Sequence, residues 1–256
     1  MMRPQEDWED TLSEFQSMVA GPEAEIRLDR GALLVARSEY PDLDHARYLA
    51  EFDRLSARVR RLLPTSRDPL PVLGALNTVL VEEEGFRGND EDYYDAKNSY
   101  LNDVLDRKLG IPITLSLVYL EIARRIGFPL SGVPFPGHFL VRHRSDGREL
   151  FLDPFNRGEI LLPRDLPARL AGLFGKKTTE EVLQQNRNRL PEAFVGDASP
   201  RDILIRMLTN LREIHARRQD LPRGRRVVAM LLVLSPDSDQ ARDSLAVLRK
   251  MEAALN

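Results

Sequence analysis

The stretch Ile111–Gly127, IPITLSLVYLEIARRIG, limits the folds open to this chain more than any other. Pro112 suits the first turn of a helix, and Gly127 suits the position just past its end. Leu115, Val118, Tyr119, Ile122 and Ile126 form one helical face, while Leu117 and Leu120 point elsewhere. A helix apolar on most of its circumference has to be buried and covered on several sides. From Leu130 the period changes to two. LSGVPF, HFLVRHR, ELFLDPF and EILLPR predict the strands of a small antiparallel sheet.

Helical spacing accounts for most of the rest. Trp8, Leu12, Phe15 and Val19 form one stripe, and Tyr48, Phe52, Leu55, Val59 and Leu62 another. VLGALNTVLVEEEG predicts a helix closed by Gly85, and Ser99 is expected to cap a short helix ended by Gly110. Ser199 and Pro200 mark the N-cap and first position of a later helix, and Ser235-Pro236-Asp237 breaks the last helical stretch in two. The predicted class is therefore α+β: mostly helical, with one buried helix feeding a small antiparallel sheet.

Within VRHRSDGRELFL, Asp146-Gly147 is a strong signal for a two-residue hairpin turn. That turn sets Arg144 opposite Glu149, Arg142 opposite Phe151, Leu140 opposite Asp153 and His138 opposite Phe155. His138, Leu140, Arg142, Glu149, Phe151 and Asp153 then share one face of mixed polarity. Phe139, Val141, Leu150 and Leu152 share the apolar one. His138 and Asp153 become diagonal neighbours, about 7 Å apart by Cα, close enough for a carboxylate to orient an imidazole. A histidine at a strand start and an Asp before Pro are also ordinary turn residues. A register slip of one residue would separate the pair.

Composition removes several chemistries. With 256 residues, of which 42% are hydrophobic, the chain can build a sizeable core. It contains no cysteine, which excludes disulfides, zinc thiolates and thiol nucleophiles together. The net charge of −3 supplies no field for nucleic acid or an anionic membrane, and the basic runs ARVRRLL, ARRQ and RGRR read as solvated helix faces. No apolar run reaches membrane-span length, and no signal peptide is expected, so the expected location is cytoplasmic. His45, His138, His143 and His215 are scattered, and the acidic runs lack EF-hand spacing. No metal and no cofactor are expected.

NSYLNDVL, GIPITLSLVYLEIARR, PGHFLVR and LDPFN together make the chain resemble the SirB1 family of bacterial proteins, most specifically from Arg87 to Leu162. The resemblance implies a transglutaminase-like, papain-type core, in which a Cys at the start of a buried helix works with a His and an Asp on neighbouring strands. His138 and Asp153 match the last two positions, and Pro112 falls at the first. It also implies C-terminal tetratricopeptide-like helices packed on the core. The implied division is 1–86 helical, 87–170 transglutaminase-like and 171–256 tetratricopeptide-like. Tyr93, Asn98, Thr114, Ser116 and Asn156 are candidate lining of a cleft. The expectation is a non-catalytic binding or regulatory protein with a protein or peptide partner. Two alternatives stand beside it: a hydrolase or acyltransferase using Ser, Thr or water with the His138–Asp153 dyad, and a helical interaction scaffold.

Overall fold

A computed structural model describes residues 4–65, 68–145, 147–239 and 242–247. The helices in chain order are α1 (Pro4–Val19), α2 (Leu28–Arg37), α3 (His45–Leu62), α4 (Pro69–Asn77), α5 (Leu101–Arg107), α6 (Pro112–Ile126), α7 (Leu166–Phe174), α8 (Lys176–Gln185), α9 (Glu192–Val195), α10 (Pro200–Arg217) and α11 (Leu221–Leu234). The strands are β1 (Arg87–Gly88), β2 (Leu109–Gly110), β3 (Ser131–Val133), β4 (Leu140–Ser145), β5 (Arg148–Asp153) and β6 (Glu159–Leu161). This is the mostly helical α+β class with a small antiparallel sheet that the residue pattern predicts.

The chain forms two compact units from interleaved segments. The first gathers the described residues of Met1–Leu49, Asp90–Arg107 and Ser199–Asn256; the second gathers Ala50–Asn89 and Lys108–Ala198. In the first unit α10 packs on α11, α1 on α2 and α11, and α2 on α5 and α10. Leu33, Leu204, Leu208, Leu211 and Val228 are fully buried there. The predicted cap of α10 is present. The Ser199 hydroxyl accepts from the Asp202 N–H at 3.2 Å, and the Asp202 carboxylate accepts from the Ser199 N–H at 2.9 Å.

Ser99 does not cap α5 as expected. A short 3-10 turn at Ala96–Asn98, capped by Asp95, precedes it and carries Ser99 into the interior, where its hydroxyl has no hydrogen-bond partner among the described residues. The helix read over VLGALNTVLVEEEG is present, but it widens after Asn77 into π geometry over Thr78–Glu83 before Gly85 turns the chain at φ +79°. Pairing of β1 with β2 is parallel, Arg87 with Leu109 and Gly88 with Gly110. Two-residue strands are too short to leave a period in the sequence.

The second unit holds the antiparallel sheet in the order β3-β4-β5-β6. Its central hairpin has the predicted register, with Arg144 opposite Glu149 and Arg142 opposite Phe151. Asp146 lies outside the described residues; Gly147 takes φ +73°, as the turn requires. The face of mixed polarity that carries Leu140, Arg142 and Phe151 is covered. Val133, Phe135, Leu140, Phe151 and Leu161 pack with Leu166 and Leu170 of α7 in one buried cluster. Val141 and Leu152, on the opposite face, are buried as well, and α6 packs against β3 and β4. Arg142, only 3% exposed, answers its charge through Asp197 at 2.5 Å and the Val195 carbonyl at 2.8 Å. A sheet covered on both faces can hold polar groups only where they are paired.

Phe151→Ala is expected to lower unfolding stability by about 3–5 kcal/mol, because it opens a void inside that cluster. Ser199→Ala should cost about 1 kcal/mol through the lost cap. Urea denaturation followed by circular dichroism measures both.

Candidate functional site

The site is built where β5 ends and β4 begins. The turn before β4 closes with the His138 N–H donating to the Phe135 carbonyl at 2.9 Å. His138 therefore sits in a bend and not in the strand itself, which lets its ring swing toward the end of β5. Its Nε2 lies 2.8 Å from Asp153 Oδ1. The imidazole is 13% exposed and the carboxylate is fully buried. His138 Nε2 is its one hydrogen-bonded ring nitrogen among the described residues, so Nδ1 is left for another group.

Three further donors converge on Asp153. The Asn156 side chain donates to Oδ2 at 2.8 Å and the Asn156 N–H to Oδ1 at 3.2 Å. Arg169 of α7 places Nη1 2.9 Å from Oδ2. Burial alone would raise the Asp153 pKa, but the hydrogen bond and charge of His138, together with the two bonds from Asn156, outweigh it and hold the carboxyl below its ordinary value. The site thus carries a fixed carboxylate that sets the orientation of one imidazole.

A second layer fixes the loop after β5. Gly158 donates its N–H to the Asp153 carbonyl at 2.9 Å, and its own carbonyl accepts from Asn77 Nδ2 at 2.7 Å. Asn77 Oδ1 in turn accepts from the Tyr119 hydroxyl at 2.9 Å, which links the loop to α6. Gly158 has φ +70°, and a Cβ there would lie 2.1 Å from Asn77 Oδ1. Phe155 stands edge-on to the His138 ring, with centroids 5.8 Å apart. Its ring lies over Gly88, where a Cβ would come within 2.6 Å. Arg169, Asn77 and Tyr119 are supports that the sequence reading missed. They lie far from the dyad in the chain, and no local pattern announces them.

Pro112 occupies the first position of α6 and is buried, with neither a nucleophile nor an N–H to offer. The Thr114 hydroxyl accepts from the Ile111 N–H and donates to the Ile111 carbonyl, both at 3.1 Å. The Ser116 hydroxyl donates to the Phe139 carbonyl at 3.4 Å. Both hydroxyl protons are thus directed to backbone carbonyls. Tyr93 and Asn98 belong to the first unit. The Asn98 amide is fully buried and donates to the Asp92 carbonyl at 2.7 Å. Tyr93 packs edge-on against Tyr94, and Arg217 lies over the Tyr94 ring at 4.2 Å. His143 is held by the Pro129 carbonyl and the Ser145 hydroxyl. Among the described residues no group of His, Asp and Glu is arranged to hold a metal ion, and no helix is long and apolar enough to cross a membrane.

Comparison with known proteins identifies the family of the fold. The family model of the transglutaminase-like superfamily matches residues 46–209, and the chain belongs to that superfamily. A UPF0162 protein of Xylella fastidiosa strain 9a5c is 37% identical over 89% of this chain and 78% of its own length. A UPF0162 protein of Vibrio cholerae is 34% identical over 57% of this chain and 54% of its own. The human F-box only protein 21 is 40% identical over 44% of this chain but only 20% of its own length. No solved structure matches. With no cysteine in the chain, the Cys-His-Asp triad of a transglutaminase-like core is degenerate here.

Asp153→Ala is expected to cost about 1–3 kcal/mol near neutral pH, because His138 and Asn156 lose their shared acceptor and Arg169 keeps only Glu159. The depressed Asp153 pKa means that the folded state binds fewer protons than the unfolded one. Its stabilisation is full above the unfolded carboxyl value of about 3.9 and fades as pH falls through the folded-state pKa. The wild-type advantage over Asp153→Ala should therefore shrink below about pH 4, as denaturant titrations at stepped pH would show. Gly158→Ala should destabilise by more than about 1 kcal/mol, since it meets both an unfavourable φ and the Asn77 side chain. The same titrations at neutral pH test it.

Proposed function

We propose that this member of the transglutaminase-like superfamily is a non-catalytic binding or regulatory protein of the SirB1 type. The observation that carries this reading is a fully supported His138–Asp153 dyad beside a helix whose first residue is Pro112. Acyl transfer through a covalent enzyme intermediate needs a nucleophile that the base can deprotonate. The Thr114 and Ser116 hydroxyls of α6 lie within hydrogen-bonding distance of backbone carbonyls, which argues against the hydrolase or acyltransferase alternative. The dyad's remaining role is hydrogen bonding: a partly exposed imidazole, fixed in orientation by a buried carboxylate, presenting Nδ1 to a protein or peptide group.

About 44% of the chain recurs as one-fifth of F-box only protein 21, so the module is used inside proteins of different organisation. The α10–α11 pair, with the helical turn at 242–247 after it, fits a tetratricopeptide-like arrangement that would serve as a second recognition surface. A scaffold whose function lies wholly in these helices is the other reading, and the two differ in whether His138 matters.

Partner crosslinking in the native host, comparing wild type with His138→Ala, separates them. Loss of the crosslinked species supports the dyad as a recognition element, and an unchanged set removes it. A second test addresses Pro112. Because the chain has no cysteine, Pro112→Cys introduces a sole thiol. If position 112 is the nucleophile position, its alkylation by iodoacetamide should titrate at least about 1 unit below the free thiol value of about 8.5. Adding His138→Ala should return it toward that value. An unshifted thiol in Pro112→Cys would show that position 112 does not face the dyad.

A further inference from the structure

The apolar stripe of α7 does not stop at the core. Leu166, Leu170, Leu173 and Phe174 recur at helical spacing and share one side of the helix. Leu166 and Leu170 are each 2% exposed and belong to the buried cluster on the sheet. Leu173 and Phe174 continue the same stripe but are 49% and 52% exposed. A single apolar side chain on a surface is ordinary, whereas two adjacent large ones that prolong a buried stripe and end in charge have the make-up of a contact site.

Their surroundings define the surface further. A Cβ at Gly137 would lie 3.7 Å from Leu173 Cδ1, so Leu173 lies against the turn that leads into His138. Gly137 is itself exposed. Beyond Phe174 the chain turns at Gly175, with φ +85°, straight into α8, which opens with Lys176 and Lys177. Both lysines are exposed, and neither forms an ion pair among the described residues. The apolar pair is therefore followed at once by two uncompensated positive charges. Glu180 and Glu181 stand one turn further along α8. A flat anionic bilayer would meet both signs of charge, whereas a short segment can lie over the lysine end alone. The net charge of −3 adds no attraction of the whole chain for such a bilayer.

We propose that the end of α7 and the start of α8 form a docking surface for an acidic segment of a partner protein, whose apolar side chain rests on Leu173 and Phe174 and whose carboxylates meet Lys176 and Lys177. Apolar anchors carry most of the affinity of such a contact, and charges at its rim select the partner. The surface adjoins the dyad without using His138, so the peptide titration below tests it separately from the crosslinking comparison with His138→Ala.

Full-length protein labelled at its leucine methyls, titrated with the end-capped peptide Glu-Glu-Leu-Phe-Glu-Glu and observed by NMR, tests this. The Leu173 methyl resonances, assigned through Leu173→Met, should move saturably, with a dissociation constant of about 1 mM or tighter. Exchanging the glutamates of the peptide for lysines, or its Leu-Phe for Ser-Gly, should weaken binding at least about fivefold. Phe174→Ser, at an exposed position, should weaken binding as much without lowering the melting temperature. Joint replacement Lys176→Glu and Lys177→Glu should reverse the preference between the acidic and the basic peptide. Leu173 resonances unmoved at about 5 mM peptide would overturn the proposal. Equal binding of the basic or the Ser-Gly peptide, undiminished binding by Phe174→Ser, or an unreversed charge preference would overturn it as well. Sedimentation with phosphatidylserine-containing vesicles, or self-association, either one lost in Phe174→Ser, would assign the patch to a membrane or to a second copy and would also overturn it.

Discussion

The second unit depends on one carboxylate that has left water completely. Asp153 has no exposed surface, and an ionised group in that position persists only where donors replace its hydration. Those donors come from three different places: the turn before β4, the loop after β5, and α7. Charge compensation therefore does what apolar packing does elsewhere in the unit, joining a strand end, a loop and a helix. It also explains why the imidazole keeps a defined orientation in a chain with no thiol for it to activate.

The legible part of the fold was the part governed by short-range rules. Gly147 and the Arg144–Glu149 pair set the hairpin register from residues within a few positions of the turn, and that register placed His138 near Asp153. Ser199 capped its helix because its partner stands three residues on. Ser99 failed because a preceding turn took over and carried it inward. Arg169, Asn77 and Tyr119 could not be seen in advance, since each acts across a distance in sequence that only the folded chain closes. The covering of both sheet faces was hidden for a related reason. Period two reports which residues share a face, and what packs on that face is decided by helices tens of residues away.

Pro112 suits the start of the helix it opens. The first residue of a helix has an N–H that the helix does not use, so proline costs nothing there and its fixed φ favours the start. A proline there offers no side chain for thiol chemistry. Above it, the Thr114 hydroxyl closes the first turn on Ile111 and ties up the next polar group along the helix. The helix has a well-formed N-terminus, and no thiol stands on it.

The interleaving of the two units has a consequence for synthesis. Ribosomes deliver a chain from its N-terminus, and the unit assembled from Ala50–Asn89 and Lys108–Ala198 has all its parts once Ala198 has emerged. The unit begun by the first helices does not, because α10 and α11 follow Ala198. Leu33 and its neighbours on α2 must therefore wait through most of translation for the helices that bury them. Long waits of this kind expose apolar surface and slow the closing of distant contacts. Until α10 and α11 are made, the faces of α1 and α2 that they cover stay open to other contacts.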